Sequence, residues 1–146
     1  WQAYRCSSSI SAGPSLYRFL FMIQGKVTSR HEIIIPVEIV SSNQQRHLIE
    51  ALLDTGFNGY LTLPGALIQE LHLPLVGNHM AELGDGSVTT FDVHLSSIVW
   101  HDRIHEILVL RAEGGALLGM GLLHQNRLTI DVVPDGYVEI HPIERA

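Results

Sequence analysis

The chain has a single cysteine, few charged residues and no long hydrophobic run. Cys6 has no partner for a disulfide within the chain, so a reducing, cytoplasmic location is the simplest expectation. No apolar run reaches the ~18 residues of a membrane-spanning helix, so we expect no membrane partner. The formal net charge of −6 argues against nucleic acid as the main partner.

Several sequence motifs of catalysis and cofactor binding are also absent. The chain has no Gly-x-Ser-x-Gly segment for a serine nucleophile, and no helix follows Gly84-x-Gly86 to form a phosphate loop. His101 and His105 lie on either side of a predicted turn, with His94 nearby, and no cysteine or carboxylate cluster completes a ligand set. The sequence therefore predicts neither a metal site nor a cofactor.

The composition fits one folded domain with a separate N-terminal tail. The chain has 146 residues, of which 46% are hydrophobic and 16% charged, which is enough for one apolar core. Residues 1–15 contain many serines and show no periodic pattern, and residues 16–23 are a short apolar patch. We expect residues 1–21 to be disordered or outside the folded domain, and residues 22–146 to form it.

The body of the chain has the pattern of short β-strands separated by turn residues. Apolar residues alternate through residues 31–40, which indicates a half-buried strand. Hairpins are predicted over 79–95 and 96–110, and a helix over 64–72 after Pro64. Many short strands with frequent turns predict an all-β fold, closed or sandwiched, with one or two short helices.

The most informative segment is Asp54-Thr55-Gly56, which follows the apolar segment Leu48–Leu53 and is closed by Phe57-Asn58-Gly59. Asp and Gly are common in ordinary turns, so the tripeptide alone is a weak signal. A carboxylate at the end of a strand can act as a general acid or base on water when a second carboxylate lies beside it. We therefore take Asp54 as the candidate catalytic residue.

Two further segments could cooperate with this aspartate. Gly84-Asp85-Gly86 joins two strand-like segments, and its glycines would let a hairpin tip move and pair with an extended peptide. Leu117-Leu118-Gly119 leads into a short helical segment and a late strand. An ordinary turn and ordinary core packing are the alternatives for these two segments.

In order and separation, these three segments resemble the landmarks of retropepsin-like aspartic proteases. The stretch from Asp54 to Pro64 is most similar to small single-domain prokaryotic aspartyl-protease-family proteins. The resemblance implies a small closed β-barrel of the acid-protease type and endopeptidase activity on peptides or proteins.

The resemblance also implies roles for individual residues. Asp54 would be the catalytic aspartate, Thr55 would support paired loops, and Gly56 would permit the turn. Gly84, Asp85 and Gly86 would form a substrate-covering flap, and Phe57 would line the substrate pocket. Gly84 stands where the close relatives are expected to have alanine.

The count of Asp-Thr-Gly motifs decides the predicted mechanism. An isolated aspartate titrates at about 3.9 and is a poor acid or base at neutral pH, whereas two adjacent carboxylates share a proton. The chain contains one such motif, so its partner must come from a second copy in a two-fold homodimer. The alternative is a peptide-binding or dimerisation module of the same fold with weak or absent turnover.

Overall fold

The computed structural model describes residues 22–144. The predicted tail, residues 1–21 with Cys6, lies outside the described residues, and so do residues 145–146. The described residues form ten strands and two short helices, with these bounds: β1 Ile23–Val27, β2 Ile33–Val40, β3 Arg46–Leu53, β4 Leu61–Leu63, α1 Gly65–Glu70, β5 Leu75–Glu82, β6 Val88–Trp100, β7 Arg103–Arg111, β8 Leu117–Leu118, α2 Met120–Leu123, β9 Asn126–Ile130 and β10 Tyr137–Pro142.

The strands form one sheet that closes into a ring. Their order is β5-β6-β7-β4-β8-β3-β2-β1-β10-β9, and an additional pairing of β6 with β2 closes the segment from β6 to β2. Strand β5 extends this ring on one side, and β1, β10 and β9 extend it on the other. The predicted all-β architecture with two short helices is confirmed.

Alternation in the sequence determines which face of β2 packs into the core. Ile35, Val37 and Ile39 are almost fully buried, while Pro36 between them is exposed. Branched side chains at every second position suit a strand with one buried face. The same core contains Leu61, Leu63, Leu71, Ile98, Val109, Leu118, Val138 and Ile140, which come from all parts of the described chain.

Strand β8 is only two residues long, yet it lies between two much earlier strands. Leu117 and Leu118 pair in parallel with Leu52 and Leu53 of β3. The other edge of β8 pairs antiparallel with β4, where Leu61 is opposite Leu118. This insertion brings the end of β3, the start of β4 and the segment after β8 to one place.

The long strand β6 differs from the prediction. The sequence pattern predicts separate strands over 87–95 and 96–100, but the structure has one continuous strand, Val88–Trp100. Strand β7 pairs with β6 from Val93 to Trp100, across the predicted break. Ser96, where the predicted break falls, is buried and pairs with Ile107 of β7, so this pairing overrides its weak strand propensity.

The turn between β6 and β7 has an unusual backbone conformation. His101 and Asp102 have φ values of 49° and 59°. Two consecutive left-handed residues match the twist of a two-residue hairpin, where Asn-Gly or Asp-Gly is the usual sequence.

Neither helix among residues 22–144 is long and apolar enough to cross a membrane.

Candidate active site

The Asp54 loop lies where β3 ends and is bonded to β8. The Asp54 N–H donates to the Leu118 carbonyl oxygen at 2.9 Å, and Leu52 N–H donates to the Ala116 carbonyl oxygen at 2.8 Å. These bonds continue the parallel pairing of β3 with β8 up to the turn. The position of Asp54 is therefore determined by the ring of strands rather than by the loop alone.

The carboxylate of Asp54 is held by its own turn. Its Oδ1 accepts a hydrogen bond of 2.9 Å from the Gly56 N–H. Within residues 22–144, no other hydrogen bond to this carboxylate is formed. Asp54 is half-buried, while Thr55 and Gly56 are exposed. One carboxylate oxygen is thus oriented by the backbone, and the exposed backbone on one side leaves room for a second group.

Backbone hydrogen bonds join the segment after Asp54 to the start of α2. Met120 N–H donates to the Phe57 carbonyl oxygen at 2.8 Å, and Gly121 N–H donates to the Gly59 carbonyl oxygen at 2.9 Å. Gly119 N–H donates to the Tyr60 carbonyl oxygen at 3.0 Å. Three successive bonds make the two loops a single unit, so movement of one would displace the other.

Phe57 packs within this unit. Its ring lies so close to Gly59 and Gly119 that a β-carbon at either position would come within 2.6 Å of a ring atom. Phe57 is half-buried against these glycines. The structure therefore gives it a packing role between the loops, and its predicted role in lining a substrate pocket stays a prediction.

Thr62 is a supporting residue that the sequence analysis did not single out. It is 5% exposed, and its Oγ1 accepts a hydrogen bond of 2.9 Å from the Leu117 N–H. This bond fixes the entry into β8, two residues before Gly119. The available sequence signal was a hydroxyl residue inside the apolar strand Leu61–Leu63, where a buried polar group needs a partner.

Gly84-Asp85-Gly86 forms the tip of the β5–β6 hairpin, as predicted. The Gly86 N–H donates to the Leu83 carbonyl oxygen at 2.9 Å, and Gly86 has a φ of 85° that favours glycine. Asp85 Oδ1 accepts hydrogen bonds from Ser87 Oγ at 2.6 Å and Ser87 N–H at 2.9 Å. The Ser87 hydroxyl, followed by its N–H, lowers the pKa of the Asp85 carboxyl below its usual value.

The hairpin leading to this tip exposes apolar side chains. Met80 is 68% exposed and Val88 is 64% exposed, and nearly all of β5 is exposed. No hydrogen bond within residues 22–144 joins the tip to the Asp54 loop. The structure therefore brings Asp54-Thr55-Gly56 together with Leu117-Leu118-Gly119, and Gly84-Asp85-Gly86 is hydrogen-bonded to neither within the described residues.

The histidines considered as metal ligands do not form a ligand set. His101 Nε2 lies 2.6 Å from Asn126 Oδ1, and His94 Nδ1 lies 3.0 Å from the Leu73 carbonyl oxygen. In the part of the chain that the structure describes, no group of three or more His, Cys, Asp or Glu side chains is placed to hold a metal ion.

Comparison with known proteins places this ring of strands in a class. No protein-family profile and no curated protein sequence matches the chain. The retropepsin-like aspartic protease from Rickettsia conorii has a similar structure, with a TM-score of 0.52 and 17% identity. The similarity covers 82% of this chain and 90% of that chain. At this identity it shows the fold, so the chain has a retropepsin-like, all-β fold.

Proposed function

We propose that the chain is an aspartic endopeptidase that acts as a homodimer, with one Asp54 from each protomer. The observation that supports this most directly is the position of Asp54. Its carboxylate lies at the end of β3, bonded to the Gly56 N–H, in a loop joined to β8 and α2. The similarity in fold to a retropepsin-like aspartic protease supports the same function.

Two carboxylates in contact can activate water without a covalent intermediate. One Asp54 carboxylate takes a proton from water, and the water oxygen attacks the scissile carbonyl carbon. The other Asp54, protonated, donates its proton to the carbonyl oxygen. When the tetrahedral intermediate collapses, the carbon–nitrogen bond breaks, and the Asp54 that took the water proton gives it to the leaving nitrogen. A hydroxyl proton of the intermediate returns to the other Asp54, which restores the pair. The shared proton persists because two adjacent carboxylates do not easily both ionise; aspartic proteases are the standard example of this effect.

Within residues 22–144 the outer edge of β9 pairs with no other strand, and we propose that two protomers pair through this free edge. Strand β9 ends the sheet order, next to β10. Asp131 N–H donates to the Tyr137 carbonyl oxygen, and Ile143 N–H donates to the Gln125 carbonyl oxygen. In an antiparallel ladder bonded and non-bonded pairs alternate, so the backbone groups of Leu128 and Ile130 point away from β10. An unpaired edge is a template for a second strand.

The β5–β6 hairpin would cover the substrate in this dimer. Its tip contains Gly84 and Gly86, and a β-carbon added at either would meet no atom within 4 Å. Exposed Met80 and Val88 are available for apolar substrate side chains. Closure of such a tip excludes water and strengthens the electrostatics at the carboxylates.

Replacement of Asp54 tests the proposed chemistry. We expect Asp54→Asn to abolish pepstatin-sensitive cleavage of a peptide library, because the amide can neither accept the water proton nor share one. Asp102→Asn makes the same chemical change in the β6–β7 turn, at a φ of 59° that asparagine tolerates, and should leave cleavage unchanged. Cleavage by Asp54→Asn at the unsubstituted rate would contradict the proposal. Saturable peptide binding without turnover by the unsubstituted chain would instead favour the non-catalytic module.

A further inference from the structure

A cleft lies beside β7, along the part of its edge that β4 does not cover. Strand β4 pairs with β7 only at residues 109–111, opposite Leu61–Leu63. Within residues 22–144, the same edge of β7 pairs with no strand over residues 103–108. The cleft has a volume of ≈ 500 Å³, and its lining includes Arg103, His105 and Ile107 of β7. This volume is within the usual range of ligand pockets, about 300–1,000 Å³.

The backbone of β7 forms part of the cleft wall. Glu106 lines the cleft between His105 and Ile107, although successive side chains of a strand point to opposite faces. With Ile104, Glu106 also lines a smaller pocket that neither His105 nor Ile107 contacts. Consecutive residues of β7 therefore meet the cleft along the strand edge. The N–H and C=O groups of such an edge are a template for an extended segment.

The floor of the cleft is apolar. Trp100, Ile107 and Leu122 line it, and each of these side chains is only 6–7% exposed. Tyr60, which is 43% exposed, adds a second aromatic ring to the lining. An apolar side chain placed against this floor would lose its contact with water, which is favourable. The cleft therefore suits a ligand with an apolar side chain as well as a backbone.

The rim of the cleft is basic. Arg103, His105 and His124 line the cleft and are exposed. Within residues 22–144, the Arg103 guanidinium makes no ion pair or hydrogen bond, and neither histidine ring is hydrogen-bonded. The carboxylate in the lining is that of Glu106, whose side chain alternates to the other face of β7. Free guanidinium and imidazole donors bind carboxylates, so a basic rim on a chain of net charge −6 favours an acidic ligand.

We propose that this cleft binds an extended acidic segment of a peptide or protein. The segment adds to the free edge of β7 through its backbone, as in β-strand addition. One of its apolar side chains packs against Trp100 and Ile107, and a neighbouring carboxylate accepts hydrogen bonds from Arg103. A small anion would use the rim alone and leave the strand edge and the floor uncovered. No proposed catalytic or flap residue lines the cleft, so the site does not rest on the proposed peptidase function.

Three matched peptides test this assignment without any substitution in the cleft. The full Asp54→Asn chain, in which no cleavage is expected, is titrated with acetyl-Glu-Leu-Glu-amide while backbone amide and tryptophan-ring NMR signals are followed. We expect saturable shifts at Trp100, Arg103 and Ile107. The uncharged acetyl-Gln-Leu-Gln-amide should bind about tenfold more weakly, because a charge-assisted contact is lost. The acidic peptide with all three residues N-methylated should also bind about tenfold more weakly, because its residues cannot donate to the strand edge.

A pair of variants separates the charge contact from the pairing with the strand. Arg103→Gln should weaken acetyl-Glu-Leu-Glu-amide about tenfold and leave the affinity for the glutamine peptide unchanged, because only the carboxylate contact is lost. Arg30→Gln makes the same change at an exposed position between β1 and β2, and it should bind all three peptides as the parent does.

Several results would overturn the proposal. Equal binding of the three peptides would exclude both the charge contact and the strand pairing. The same shifts with sodium acetate alone would show an anion site only. Shifts confined to the Asp54 loop or to β9 would place the peptide outside the cleft. Because binding is measured without cleavage, none of these results depends on whether Asp54 is catalytic.

Discussion

Gly119 lies where the Asp54 loop and the start of α2 approach each other closely. A β-carbon there would lie 2.3 Å from the Gly59 carbonyl oxygen and 2.6 Å from the Phe57 ring. The Gly59 oxygen cannot withdraw, because it already accepts a hydrogen bond from the Gly121 N–H. Glycine at 119 is therefore required by close backbone approach rather than by an unusual φ.

A methyl group at position 119 should force the two loops apart. We expect Gly119→Ala to destabilise the chain by about 1–3 kcal/mol, the usual cost of overpacking, and to lower peptidase activity further by displacing Asp54. Gly115→Ala is the matched control, since a β-carbon at Gly115 meets no atom within 4 Å. Urea unfolding of both variants measures the difference. Equal stability of the two variants would show that the loops are not joined in this way.

The Ser87 hydroxyl is the main cause of the lowered pKa of Asp85 at the hairpin tip. The pKa of Asp85 is lower in the folded state, so its hydrogen bonds from Ser87 stabilise the turn at pH values above the unfolded-state pKa. This stabilisation is lost as the pH falls through the folded-state pKa. Ser87→Ala should raise the pKa of Asp85 towards its usual value, although the Ser87 N–H bond remains. An NMR titration of the Asp85 carboxyl measures this pKa, and Thr90→Ala serves as the control. An unchanged titration in Ser87→Ala would contradict the assignment.

Individual residues differed in how far the sequence revealed them. The turn at Asp54 could be predicted because Asp-Thr-Gly directly follows an apolar strand-like segment, and the tip at Gly86 because a tight hairpin turn favours a left-handed residue. The burial of His94 could not be predicted, since it depends on the register that places His94 opposite Val109 on the core face. Thr62 acts through Leu117, 55 positions along the chain, and no local pattern encodes that contact.

The prediction about assembly is that two protomers pair through strand β9. Leu128→Pro removes an N–H that points to the free edge and leaves the ladder with β10 intact, as proline is tolerated at such edge positions. Leu128→Ala loses the same side chain and keeps the N–H, so it is the matched control. We expect the proline variant to be monomeric and inactive while the alanine variant still forms dimers. Sedimentation velocity measures the oligomeric state of both variants. A dimeric proline variant would exclude β9 as the interface.

Strands with a clear local pattern were predictable, whereas β8 and the continuity of β6 were not. The alternation that ends at Val40 and the apolar segment before Asp54 identified β2 and β3 because their patterns are local. Strand β8 has two residues and exists only because β3 and β4 lie on either side of it. The continuity of β6 through Ser96 likewise depends on pairing with β7, which periodicity within β6 does not contain.

The whole chain combines a retropepsin-like fold with half of a proposed catalytic pair. The fold is similar to that of the Rickettsia conorii protein at only 17% identity, as expected where volume and hydrophobic pattern matter more than particular core residues. A single protomer supplies one Asp54 carboxylate. If catalysis uses two Asp54 carboxylates, it is therefore a property of the dimer.

A mixing experiment tests whether a single chain can hydrolyse peptides without a partner. Wild-type chain at fixed concentration, with peptide substrate in excess, is incubated with increasing amounts of Asp54→Asn until exchange is complete. With random pairing, a ninefold excess leaves about one-tenth of wild-type chains paired with each other, so activity should fall about tenfold. The Asp54→Asn chain that also carries Leu128→Pro cannot pair and should not inhibit. Undiminished activity in the first mixture would mean that each chain hydrolyses peptides alone, and the shared-proton mechanism would be wrong.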